Sequence, residues 1–113
     1  MRYILLLTRG EWQESGTPQE QGEVFGRIGE WFAKLRADGT ITEAQQLQAP
    51  GTATTVVLDH GASTLIDRPL LEAKEAIGGY AVIDVPDLDA ALVVARSFPV
   101  PDGKVEVRPA VER

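Results

Sequence analysis

The sequence predicts an α+β fold, an antiparallel sheet with two helices on one face. Three observations carry this. Short apolar runs rich in β-branched residues recur along the chain, as strands do. Two stretches, residues 18–37 and those after Pro86, space their apolar residues at helical intervals instead. At 113 residues, with 43% hydrophobic and 25% charged residues, the chain is one domain (1–113) with enough apolar content for a core and too much for disorder.

Residues 3–7 form the first strand. Tyr3, Leu5 and Leu7 point one way, Ile4 and Leu6 the other. Both faces are apolar, so helices cover one and a second subunit is the expected cover for the other. Residues 9–16 read as a polar loop holding Trp12. Thr17, Pro18 and Glu20 then make a capping box with proline in the first helical turn. This helix runs to about Ala37, where Asp38-Gly39 ends it. Val24, Ile28, Trp31 and Leu35 are its buried stripe, with Phe25 and Phe32 beside them. Gly22, Gly26, Gly29 and Ala33 form a stripe of small residues. Each interior glycine costs a helix about 1 kcal/mol relative to alanine, so three of them need a reason. Tight packing of helix on sheet is the expected one, and room left for a ligand is the alternative.

Residues 40–47 make a second, polar strand, 48–51 a turn, and 52–58 a β-branched third strand. Asp59-His60-Gly61-Ala62 closes a hairpin onto 63–66. Residues 79–85 form the next strand. Pro86-Asp87 opens the second helix, with Leu88, Ala91, Leu92 and Ala95 as its buried stripe and Pro99 and Pro101 as its stop. Residues 104–109 alternate apolar and charged, a last strand with one wet face. With the 63–66 hairpin strand set aside as an insertion, the order follows the ferredoxin-like β-α-β-β-α-β plan. A two-fold dimer with sheets face to face would cover the open side.

Charge and composition exclude several functions. The net charge is −6, from 17 acidic and 11 basic residues. The basic residues are scattered, which argues against a nucleic-acid partner and against an anionic membrane surface. No apolar run approaches the roughly 20 residues of a membrane helix. The opening apolar run is too short for a signal peptide and no small-residue cleavage site follows it, so a cytoplasmic location is expected. There is no cysteine, which removes disulfides, thiolate catalysis and Cys-ligated metals. The only histidine, His60, falls in a hairpin turn. No His/Asp/Glu spacing fits a metal, no axial ligand fits haem, and no serine has a histidine partner in sequence context, so no cofactor is expected.

One segment is more charged than a connection requires. Residues 67–75 carry Asp67, Arg68, Glu72, Lys74 and Glu75, and Gly78-Gly79-Tyr80 follows. Loops on a rigid scaffold hold a large share of functional groups. Asp67 or Glu75 would act as general base and Tyr80 as proton or hydrogen-bond donor, while Arg68, Glu72 and Lys74 would hold a small polar or anionic compound. Trp12 is the aromatic expected to face that ligand. The alternative is structural: Asp67 caps a turn, the other charges pair with one another, and Tyr80 belongs to the core.

Several landmarks stand in an order that resembles the YCII-related, or DGPF-domain, proteins of bacteria. They are Arg2-Tyr3-Ile4-Leu5-Leu6, Thr52-Ala53-Thr54-Thr55-Val56, Asp67-Arg68-Pro69-Leu70 at the place of Asp-Gly-Pro-Phe, then Glu72, Lys74-Glu75, Gly78-Gly79-Tyr80 and Val105-Glu106-Val107-Arg108-Pro109. The resemblance spans nearly the whole chain. It implies a dimeric α+β barrel, formed by a homodimer. Arg68 and Leu70 depart from the family's glycine and phenylalanine. Related proteins carry a His–Asp pair proposed as catalytic, with the histidine on the first helix. Here that helix has no histidine, so the dyad is not carried over. The clustered charges of 67–75 point to a small-molecule protein with acid–base chemistry. The resemblance implies no chemistry but, as the alternative, a non-catalytic module linked to sigma-factor control of transcription, and a purely structural dimer is the third reading.

Overall fold

The structure, a computed structural model, describes residues 1–67 and 76–112. Along the chain stand β1 (Arg2–Thr8), α1 (Glu11–Ser15), α2 (Pro18–Ala37), β2 (Ile41–Gln46), β3 (Thr55–Asp59), β4 (Ala62–Ile66), β5 (Ile77–Asp84), α3 (Leu88–Arg96) and β6 (Val105–Pro109), with a 3-10 turn at Pro50–Thr52. The fold is α+β.

Alternation along β1 decides the architecture. Tyr3, Leu5 and Leu7 are buried and Ile4 and Leu6 are only partly covered. β5 lies antiparallel to β1, with Leu5 opposite Ala81 and Tyr3 opposite Ile83. β6 flanks β1 on the other side, Val107 opposite Leu5. β2 pairs antiparallel with β5 and completes the order β2-β5-β1-β6. Among the described residues the sheet is open, with β2 and β6 as edges, and closes no barrel.

One side of this sheet carries the core. Tyr3, Leu5, Leu7, Ile41, Ala81 and Ile83 meet Trp31 of α2 and Ala91 of α3 there. Both long helices start as their sequences predict. Thr17 Oγ1 accepts from the Glu20 amide at 3.1 Å, and Asp87 Oδ1 accepts from the Ala90 amide at 2.9 Å. Each satisfies an otherwise orphaned helix donor. Gly39, with φ of +84°, follows the Asp38 cap and turns the chain out of α2.

Four sequence expectations are corrected. The 9–16 loop contains α1, tied to α2 by the Gln21 side-chain amide, which donates to the carbonyls of Gln13 (3.0 Å) and Gly16 (3.1 Å). The buried arc of α3 centres on Ala91 with Val94 and Ala95 packed beside it, which leaves Leu88 at the rim, 49% exposed. Gly22, Gly26 and Gly29 are exposed, and a Cβ built on any of them meets nothing within 4 Å. Close packing on the sheet is therefore not why they are glycines. Finally, the 52–58 run yields a strand only from Thr55, after the 3-10 turn, and that strand stays out of the main sheet. Among the described residues β3 pairs with β4 alone. The hairpin's two-residue turn holds His60 at φ +47° and Gly61 at φ +92°, the left-handed pair that a tight hairpin needs. The radius of gyration is 15.8 Å, against about 13 Å for a compact domain of this length, as a projecting hairpin requires.

Candidate functional site

A gap between α2 and the sheet begins with two side chains that are missing. On β5 the helix-facing positions run Gly79, Ala81, Ile83, so the floor under the N-terminal half of α2 is bare backbone beside Leu7. Nothing larger than glycine fits at 79, where a Cβ would lie 2.8 Å from the Gln45 carbonyl oxygen. Above this floor α2 presents Phe25, Ile28 and Phe32, and α1 presents Trp12. Phe25 meets the Trp12 ring edge-on, centroids 5.1 Å apart at 69°, a favourable arrangement for two π systems.

The result is a narrow pocket of about 40 Å³ walled by Trp12, Phe25, Phe32, Phe98, Gln45 and Gly79. It adjoins a wider groove of about 400 Å³ that shares Phe25, Phe32 and Gln45 and adds Gly29, Arg36 and Ala44. The narrow part admits a water or the edge of a flat group. The wide part has the size of small-molecule sites. Among the described residues no charged side chain lines the narrow pocket.

Trp12 is 8% exposed, and its Nε1 is the one buried side-chain N or O atom without a partner among the described residues. Its backbone amide donates to Asp102 Oδ1 at 3.3 Å, which fixes α1 against the loop before β6. Trp31 offers the contrast: its Nε1 donates to Ser97 Oγ at 2.8 Å. Leaving a buried donor unmade costs about 1–3 kcal/mol, so the two indoles are in unlike energetic positions.

Of the site residues expected from sequence, the described ones, Trp12, Asp67 and Tyr80, stand apart from one another. Trp12 walls the pocket. Tyr80 occupies the alternate position on β5 and so emerges on the opposite face of the sheet, where its hydroxyl donates to Glu43 Oε1 at 3.2 Å. Burial, followed by the bond to Glu43 and its negative charge, raises the phenol above its ordinary pKa. Asp67 is exposed at the foot of the hairpin, where Thr54 Oγ1 donates to its Oδ1 at 3.4 Å. Arg68, Glu72, Lys74 and Glu75 lie outside the described residues. Sequence reasoning carried Gly79 only within the Gly78-Gly79-Tyr80 landmark and gave Gln45, Gln46 and Arg36 no role in a site. The polarity of β2 beside a double glycine was the available signal.

Among the described residues no cluster of three His, Asp or Glu could hold a metal ion. No helix there is long and apolar enough to cross a membrane. The sequence profile of the YCII-related domain matches residues 1–112. The chain belongs to the YCII-related family. Comparison with curated proteins gives no match. In this YCII-related chain the only histidine, His60, is fully exposed at the hairpin tip beside Asp59, 2.8 Å away. It does not line the cleft.

Proposed function

We propose that this YCII-related protein binds a small molecule in the cleft between α2 and the helix-facing side of the sheet. The observation that carries this is Trp12: a nearly buried indole with an unpartnered Nε1, set in an aromatic wall over a floor stripped to glycine. A cleft that only served packing would fill this space and pair this donor. The described lining supplies stacking surfaces from Phe25, Phe32 and Phe98 and hydrogen bonds from Gln13, Gln45 and Gln46. None of these groups changes protonation near neutral pH. The described lining therefore favours binding over acid–base catalysis.

The proposed assembly is a two-fold homodimer of ferredoxin-like sheets. Support comes from the strand order β2-β5-β1-β6 and from the uncovered face. There, Ile4 and Leu6 of β1 stand beside Tyr80 and Val82 of β5 in an apolar centre, with Glu43, Glu106 and Arg108 at the margins. Apolar centre and polar rim are how protein interfaces are built. Two such sheets face to face would form the α+β barrel.

The test uses the two indole N–H resonances, since the chain has two tryptophans. Titrating a fragment library should yield compounds that move the Trp12 resonance and leave Trp31 in place. Those compounds should lose their effect in Gly29→Leu, which fills the groove without a clash at Cβ. A library whose hits move neither indole, or bind Gly29→Leu unchanged, would remove the cleft as the site.

A further inference from the structure

Among the described residues the cleft has one charged lining residue, and its position defines the ligand. Arg36 stands in the last turn of α2 and lines the wide groove with Phe25, Phe32 and Gln45. Arg9 is bound to Glu14 at 2.8 Å and Arg108 to Glu106 at 2.7 Å. Arg36 makes no ion pair with any described residue, and no acidic side chain among the described residues lines the groove. An unneutralised guanidinium beside aromatic walls is a seat for a planar anion, which it can grip with two parallel N–H donors.

The spacing sets the shape. Phe32 lies one helical turn before Arg36, about 6 Å along the axis. Side chains on a helix lean toward its N-terminus, which brings the guanidinium back toward Phe32. Phe25 lies two turns further on and forms the shared wall of groove and pocket. An aromatic ring flat in the groove would cover Phe25 and Phe32 and put an edge into the narrow pocket. A carboxylate on a bond or two from that ring would then reach Arg36.

We propose that the ligand is an aromatic carboxylic acid, its ring against Phe25 and Phe32 and its carboxylate on Arg36. This rests on the cleft as the binding site and adds the chemical class. Gln45 and Gln46, on the sheet side of the groove, are placed to serve polar ring substituents.

The experiment is calorimetric titration of the full chain with 2-naphthoate and with its uncharged counterpart 2-naphthamide, repeated on Arg36→Gln and Arg36→Lys. On the wild type, naphthoate should bind about tenfold or more tighter than the amide, the range of a hydrogen bond to a charged group. In Arg36→Gln the preference should vanish, and in Arg36→Lys it should return in part. Equal affinities on the wild type, or a preference that survives in Arg36→Gln, would overturn the acid. If the amide still binds the wild type, moves the Trp12 indole resonance and is excluded by Gly29→Leu, the cleft stands and the carboxylate assignment alone falls. If neither compound moves that resonance, both fall together.

Discussion

Trp31 Nε1 donates to Ser97 Oγ at 2.8 Å, and Ser97 Oγ passes the bond on to the Val94 carbonyl at 2.6 Å. One indole thereby pins α2 to the end of α3, while its ring packs edge-on against Phe32 and Phe98 at about 5 Å. Trp12, equally buried, has no such bond.

These unlike positions predict unlike costs. Trp31→Phe loses a hydrogen bond and packing volume, and should destabilise by about 1–3 kcal/mol. Trp12→Phe also loses ring area but removes an unpaired buried donor, so its net change should stay within about 1 kcal/mol. Denaturant unfolding followed by circular dichroism measures both. Equal losses would mean that Trp12 finds a partner in solution.

Two glycines should respond to alanine with opposite signs. Gly29 sits in the interior of α2 with open space around its would-be Cβ, so Gly29→Ala should stabilise by about 1 kcal/mol through helix propensity. At Gly79 the Cβ would press on the Gln45 carbonyl at 2.8 Å. Backbone cannot step aside as a side chain can, and Gly79→Ala should cost about 1–3 kcal/mol. Thermal melts of the pair decide it. A Gly79→Ala variant as stable as the wild type would show that β2 and β5 can spread, and that the pocket floor is not rigid.

The contrast between these glycines also shows what was legible in the sequence. Period-two alternation in β1 and capping residues at Thr17 and Asp87 are local signals, and the main sheet and both long helices follow from them. The fate of 52–58 was not local. Its β-branched residues favour a strand, and nothing within them says whether that strand joins the main sheet or pairs only with β4. The cleft was hidden for the same reason. Gly22, Gly26 and Gly29 drew notice as a helical stripe, whereas Gly79, which makes the floor, acts through Gln45 on a strand more than thirty residues away. Trp12 was readable as a ligand-facing aromatic, but its missing hydrogen bond is a property of the fold.

Tyr80 gives a pH prediction. Its raised pKa means that the folded state favours the neutral phenol. Its contribution to stability is therefore present below the ordinary value of 10.0 and is lost as pH rises through the higher folded value. Tyrosinate absorbance in a Tyr3→Phe background isolates Tyr80, since the chain has two tyrosines. Its midpoint should lie above the ordinary value. Glu43→Gln should lower it part of the way, because burial, the larger cause, remains. A midpoint indifferent to Glu43→Gln would mean that the 3.2 Å bond does not persist in solution.

The last prediction concerns the uncovered sheet face. Leu6 lies at its centre, paired with Tyr80 on one side and Glu106 on the other. A charge placed there stays solvated in a monomer and must give up its water in a face-to-face dimer, with only the rim carboxylate of Glu106 beside it, and taking an ion out of water costs several kcal/mol. Leu6→Arg should therefore weaken self-association by at least about a hundredfold. The helical circular dichroism should not change, because Leu6 points away from the core that α2 and α3 build. Leu88→Arg is the control: Leu88 is 49% exposed on α3, on the helix side of the sheet, and its substitution should leave association intact. Sedimentation equilibrium on the wild type and both variants separates the cases. A wild type that stays monomeric, or a Leu6→Arg variant that still dimerises, would leave the apolar centre at Ile4, Leu6 and Val82 to another partner and take the two-sheet barrel with it.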